Sequence, residues 1–166
     1  NNKTEQSSDA PSLDQKEKVE EISREQALSE SKRIQFENQS IIGSISLKGA
    51  AIDDLTFKEY NVVLNGNEKV NLLAPRNSKE GYLIESGFIT TDKNVKIPNS
   101  NSIWSVLGNK KLSPQSPIKL TWTNDQGITF EKEISIDDKF LFTVKQRVIN
   151  STNNKYDFYS YGQIIR

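Results

Sequence analysis

From Ile118 to Val148 the chain keeps a period of two. In Ile118-Lys119-Leu120-Thr121-Trp122-Thr123 the apolar side chains fall on every second position. After the polar turn Asn124-Asp125-Gln126-Gly127, Ile128, Phe130, Ile134 and Ile136 share one parity, broken only by Lys132. Asp137-Asp138 makes a second turn, and Phe140, Phe142, Val144 and Val148 alternate with Thr143, Lys145 and Arg147. Successive side chains of a strand point to opposite faces, so this spacing places one face on a core and the other in water. It cannot make a one-sided helix, and the turn residues between the runs predict a meander of three antiparallel strands. Beyond Asn150 the chain returns through Tyr156-Asp157-Phe158-Tyr159-Ser160-Tyr161, and the other strands are expected to be arranged around this block.

The same logic runs backwards along the chain. Arg33 to Asn38 alternates, and Ile41, Gly43, Ile45 and Leu47 share a parity, so two strands are expected there. Gly49-Ala50 turns the chain, and Ala51 to Phe57 resumes extended structure. The parity slips between Ile52 and Leu55, which a β-bulge near Asp53-Asp54 would repair. Asn65-Gly66 is a turn signal because that pair tolerates positive φ. Val70 to Leu73 reads as a short strand stopped by Pro75, and Gly81 to Thr90 as another extended run. Thr91 to Pro117 is loop-rich, with one strand expected over Ser102 to Leu107. About ten short strands and almost no helix predict an all-β fold, an antiparallel β-sandwich. Gln163 to Arg166 still reads as strand, so the natural polypeptide is expected to continue.

Residues 1–32 differ in character. They are polar and charge-dense, and Leu13, Val19, Ile22 and Leu28 are too sparse for an apolar stripe. The segment is expected to be a charged flexible linker, with a marginal helix over Leu13 to Glu30 as the other reading. The folded domain is expected over residues 33–166.

Composition narrows the chemistry. Lys and Arg number 22, as do Asp and Glu, and this balance argues against a nucleic-acid footprint or an anionic-membrane patch. There is no Cys and no His, which excludes disulfides, His-based triads and Cys/His zinc sites. Neither Gly-rich phosphate-loop pattern is present. No stretch approaches the roughly 20 apolar residues of a membrane helix, and no signal-peptide core is visible. The carboxylate pairs Asp53-Asp54 and Asp137-Asp138 are expected to sit in turns facing water. Neighbours on a strand diverge, so only a bend would let such a pair converge on a substrate or calcium. Trp104, Trp122 and the tyrosines 156, 159 and 161 are expected to pack in the core and across strands, with a sugar-stacking platform as the alternative. Lys110-Lys111 and Lys145-Gln146-Arg147 read as solvated faces.

One stretch carries a second kind of information. Gly43-Ser44-Ile45-Ser46-Leu47-Lys48-Gly49-Ala50-Ala51-Ile52-Asp53-Asp54-Leu55 resembles the start of the periplasmic domain of the YidC/Oxa/Alb-type membrane protein insertases, the alphaproteobacterial members above all. Val70 to Pro75, Tyr82 to Phe88, Leu120 to Phe130 and Tyr159 to Arg166 resemble later segments of that domain in the family's order, so the likeness covers residues 33–166. The resemblance implies a β-supersandwich of the galactose-mutarotase-like kind, of which residues 33–166 would be the first half. It also implies a membrane anchor in segments outside this chain, and a place on the periplasmic side of the bacterial inner membrane. The implied function is an accessory scaffold that assists insertion and folding of inner-membrane proteins, chaperone-like, with or without the Sec translocon. Implied partners are translocon auxiliary subunits and nascent membrane proteins, with no nucleic acid. Mutarotase relatives use His in their sites, and this chain has none, so fold kinship brings no enzyme, cofactor or metal with it. Two other readings remain: a carbohydrate-binding β-sandwich module, and an enzyme with two carboxyls about 5 to 9.5 Å apart across a cleft.

Overall fold

The computed structural model describes residues 21–166, so the part of the expected linker at residues 1–20 lies outside the described residues. A short helix, α1 (Arg24–Ser29), precedes eleven strands: β1 (Arg33–Glu37), β2 (Ile41–Ser46), β3 (Ile52–Asn61), β4 (Lys69–Leu73), β5 (Leu83–Ile89), β6 (Ser105–Leu107), β7 (Lys111–Leu112), β8 (Ile118–Thr123), β9 (Ile128–Ile136), β10 (Phe142–Asn150) and β11 (Tyr159–Ile165). They form two sheets. The larger runs β11-β5-β3-β2-β1-β7, with β4 beside the far half of β3, and the smaller runs β10-β9-β8-β6. All pairings are antiparallel except β1 with β7.

The period-two residues make the core. Ile118, Leu120, Ile128, Phe130, Ile134 and Ile136 of the small sheet face Ile34, Phe36, Ile41, Ile45, Ile52, Leu55 and Phe88 of the large one, all buried. Each such side chain contributes about 1.5–3 kcal/mol by leaving water. Aromatic pairs fix the spacing: Phe36 meets Phe142 edge-on at 5.1 Å, and Phe88 meets Phe130 at 4.9 Å. The expected meander is β8-β9-β10. The return strand leaves it, however: β11 crosses to the large sheet and pairs with β5, leaving β10 as an edge. Its alternation could not reveal this, because period two fixes which face is buried and not which neighbour is paired.

Two glycines explain close approaches. A Cβ on Gly43 would lie 2.0 Å from the Asp54 carbonyl and 2.6 Å from the Phe36 ring, so only Gly fits there. Gly49 (φ 74°) and Ala50 (φ 52°) make the β2–β3 turn in the left-handed region. The expected bulge is present: Ser44 pairs with Asp54 and Ile45 with Ile52, which leaves Asp53 as the extra residue.

Residues 22–32 run along the large sheet. Ser23 and Gln26 form a reciprocal cap on α1, and Ala27 is buried. Ile22 donates its amide to the Asn77 carbonyl, Asn77 donates to Glu30 at 2.6 Å, and Ser31 and Ser46 share a hydroxyl contact at 2.8 Å.

Candidate interaction surface

The bulge decides the fate of the first carboxylate pair. Asp53 and Asp54 are buried within a strand, not in a water-facing turn as expected. The extra residue turns both carboxylates to one side. Arginines meet them there. Arg33 of β1 binds Asp53 and donates to the Ser44 hydroxyl at 2.7 Å, while Arg24 of α1 binds Asp54, which also accepts from Ser44 at 2.6 Å. Burial pushes the Asp53 carboxyl above its ordinary value against the opposing pull of Arg33, and the neighbouring Asp54 adds to the rise. This arrangement clamps α1 and β1 onto the bulge and offers no open carboxylate to a substrate. The second pair behaves as expected: Asp137 and Asp138 are exposed in the β9–β10 turn, and Asp137 accepts from the amides of Lys139 and Leu141, each at 2.9 Å.

Lys132, the one polar break in the inward parity of β9, is only 1% exposed. Its ammonium crosses between the sheets to donate to the carbonyl and hydroxyl of Ser86, and sits 5.1 Å from the centre of the Trp104 ring. Burial drives its pKa from 10.5 down to about 8, with Glu85 pulling the other way. Gln146 makes a second crossing, to the Gly87 carbonyl at 3.2 Å. Lys132 stood out in the sequence as a break in an apolar parity without a role being read from it, and Gln146, expected on a solvated face, instead turns in toward the large sheet.

The aromatic residues do not assemble into a platform. Trp104 is 2% exposed, and Trp122 is half-buried against Phe130 at 5.8 Å. Tyr156 is half-buried, and Tyr159 and Tyr161 lie exposed on β11. Lys145 and Arg147 face outward and pair across the strands with Glu133 and Glu131, as expected of a solvated face. Lys111 begins the short strand β7, which was read as loop or solvated strand. Among the described residues no group of three or more acidic, His or Cys side chains could hold a metal ion.

The surface carries a cleft of about 710 Å³ of mixed polarity, with Arg24, Lys79, Glu80, Tyr82 and Arg166 in its lining, and a smaller one that is apolar. A groove of about 420 Å³ opens at one end of the sandwich, floored by Ile41 and Leu55 and walled by Phe57, Val70, Leu72 and Phe140. Phe57 stands edge-on to Tyr60 at 5.3 Å and to Phe140 at 5.7 Å, so the β3–β4 and β9–β10 turns share this end. Asn38 locks the second turn by donating to the carbonyls of Asp137 and Lys139 at 2.7 and 2.8 Å.

Residues 33–166 match the family model described as the YidC periplasmic domain. The chain belongs to the family of YidC periplasmic domains. The chain is 64% identical over 165 residues to the membrane protein insertase YidC of Pelagibacter ubique, covering 99% of this chain and 30% of that protein. It is 40% identical over 146 residues to the YidC of Brucella suis and 39% identical over 142 residues to that of Rickettsia prowazekii, covering 87% and 85% of this chain and 24% and 25% of those proteins. It therefore spans under a third of the length of these relatives. The matched span coincides with the resemblance read from the motifs, and the YidC domain here is all-β as that likeness implied. No described helix is long and apolar enough to cross a membrane.

Proposed function

We propose that this chain is the periplasmic accessory part of a YidC-type insertase and acts as a non-catalytic scaffold, held at the inner membrane by segments outside residues 1–166. The observation that carries the reading is the family match over residues 33–166, together with relatives named as membrane protein insertases. The geometry supports it. The buried carboxylates Asp53 and Asp54 are engaged by arginines, and one of the surface clefts is an apolar groove beside the edge strand β4. Apolar clefts and unpaired edges suit polypeptide partners. The scaffold contacts nascent membrane proteins and translocon auxiliary subunits through this groove and the edge strands β4 and β10.

Site-specific photocrosslinking in the full-length protein tests this. A photoreactive residue at Leu72, on the groove wall, is expected to give adducts with nascent membrane proteins or translocon subunits in native membranes. The same probe at Lys119, on the charged outer face, is expected to give none. Equal yields at both sites would remove the partner-contact reading. Purification of the full-length protein from membranes without any translocon component would remove the Sec half of it.

A further inference from the structure

The tip of the β3–β4 hairpin is built on a labile pair of residues. Val62 donates its amide to the Glu68 carbonyl at 2.9 Å and closes the base of the loop. Above that bond the Gly66 amide donates to the Val63 carbonyl at 3.0 Å, which makes a tight turn of Val63-Leu64-Asn65-Gly66. Its third residue, Asn65, has φ 62°, a left-handed conformation that Asn and Gly adopt more readily than other residues. Its fourth favours Gly for space, because a Cβ on Gly66 would lie 2.6 Å from a Val63 methyl carbon and 3.1 Å from the Val63 carbonyl oxygen. The turn therefore selects Asn followed by Gly, and this is the one Asn-Gly pair in the chain.

A backbone nitrogen that follows Asn can attack the side-chain carbonyl carbon, and a side chain on the attacking residue crowds the approach. Gly66 has none. Asn65 is exposed, and no described group bonds its side-chain amide. Other asparagines differ. Asn38, Asn109, Asn124 and Asn150 each donate their side-chain amide to a backbone carbonyl, and each is followed by a residue with a Cβ. Attack also requires the Gly66 nitrogen to be free. Among the described residues only the Val63 carbonyl holds it, and residues 62–67 take no part in the core, so opening is local and costs little.

We propose that Asn65 is a site of spontaneous deamidation and isomerisation, with water as the co-reactant. The Gly66 nitrogen gives up its proton and bonds to Cγ of Asn65. The bond from Cγ to the side-chain nitrogen breaks, and ammonia leaves carrying that proton. A five-membered succinimide ring remains. Water opens it at either carbonyl. Opening at Cγ leaves aspartate, and opening at the backbone carbonyl carbon routes the chain through Cγ and leaves isoaspartate. Either product puts one negative charge into residues 62–67, which carry none. The same hairpin supplies Tyr60, Val70 and Leu72 to the apolar groove, so the charge appears on the element that borders it. This inference stands on the turn and does not need the insertase reading.

Peptide mapping of aged full-length protein tests it. Folded protein is kept at pH 6 and pH 9 and sampled over weeks, with a zero-time sample to set the conversion that digestion itself produces. Trypsin releases residues 59–69, which hold Asn61, Asn65 and Asn67 in one peptide. The amide-to-acid mass gain is expected at Asn65 and not at Asn61 or Asn67, with isoaspartate in excess of aspartate. It should accumulate severalfold faster at pH 9, because the attacking group is the deprotonated backbone amide. Asn65→Gly keeps the positive φ and is expected to give no isoaspartate and an unchanged thermal melt. Conversion at Asn65 only after unfolding would overturn the inference, since the turn would then protect the pair. So would equal gains at all three asparagines, or aspartate formed without isoaspartate.

Discussion

Two places in this sandwich take charge out of water, and they do it differently. Under α1, Arg33 meets Asp53 and Arg24 meets Asp54, so each buried carboxylate has a guanidinium. Between the sheets, Lys132 faces a backbone carbonyl, a hydroxyl and an indole face, and no described carboxylate lies within ion-pair distance of it. In both places burial pushes the group toward its neutral form: the Asp53 carboxyl rises and the Lys132 ammonium falls. At Asp53 a fixed cation opposes the push. At Lys132 only the field of Glu85 does. A matched pair is costly to break from one side, whereas an unmatched charge is itself the cost.

The largest effect is therefore expected at the matched pair. Asp53→Ala leaves the Arg33 guanidinium buried without its counter-charge, and breaking such a pair costs about 3–5 kcal/mol. Arg33→Met together with Asp53→Leu is expected to lose much less, because neither charge is stranded. Urea denaturation of Arg33→Met, of Asp53→Leu and of the double variant measures this as a cycle. If the double loses as much as the sum of the singles, the two side chains are not coupled and the clamp is only packing.

The unmatched charge gives the next effect, and its sign is opposite. A Lys whose folded pKa lies near 8, against an ordinary 10.5, binds its proton more weakly in the native chain than in the unfolded one. Stability from this residue therefore rises as pH climbs from 8 to 10.5, and the full penalty is present below 8. The span corresponds to about 3 kcal/mol. Lys132→Met removes the proton and keeps the packing, so at pH 7 the variant is expected to match or exceed the parent. The parent should overtake by up to that amount as pH approaches 10.5. Denaturation curves at pH 7, 8, 9 and 10 decide it, and parallel pH profiles for the two proteins would remove the argument.

These two places also mark where the sequence was readable. Alternation located the meander, the turns and most core residues, because burial on one face leaves its period in the residue order. The parity slip between Ile52 and Leu55 even gave away the bulge. What the slip hid was its consequence: Asp53 and Asp54 turn inward because their arginines lie 20 and 30 residues upstream, and no local pattern links those positions. β10 begins at Phe142, two residues later than the alternation suggested, since Asp137 folds Lys139 to Leu141 into the turn. The crossing of β11 to the other sheet, and the two-residue strand β7, are set by tertiary pairing that periodicity does not encode. The apolar groove was unreadable for a related reason. Ile41 and Leu55 carry the same signal as any core residue, and only their position at an open end exposes the space above them.

The smallest effect separates the two halves of the clamp. Arg24 lies on α1 with its side chain about a quarter exposed, whereas Arg33 is almost fully enclosed. Asp54, once freed of Arg24, keeps its hydrogen bond from Ser44 and gains access to water. Arg24→Gln is therefore expected to cost about 1 kcal/mol of global stability, well under the Asp53→Ala loss. Its effect should instead be local. α1 is six residues long, too short to persist without tertiary support, and its docking rests on Arg24, the Ser23–Gln26 cap, the buried Ala27 and the Glu30–Asn77 bond. Amide exchange at Ala27 and Glu30 should accelerate while the β9 amides stay protected. Uniform acceleration across both would mean that α1 unfolds only with the sandwich, and that the outer ion pair is as integral to the fold as the inner one.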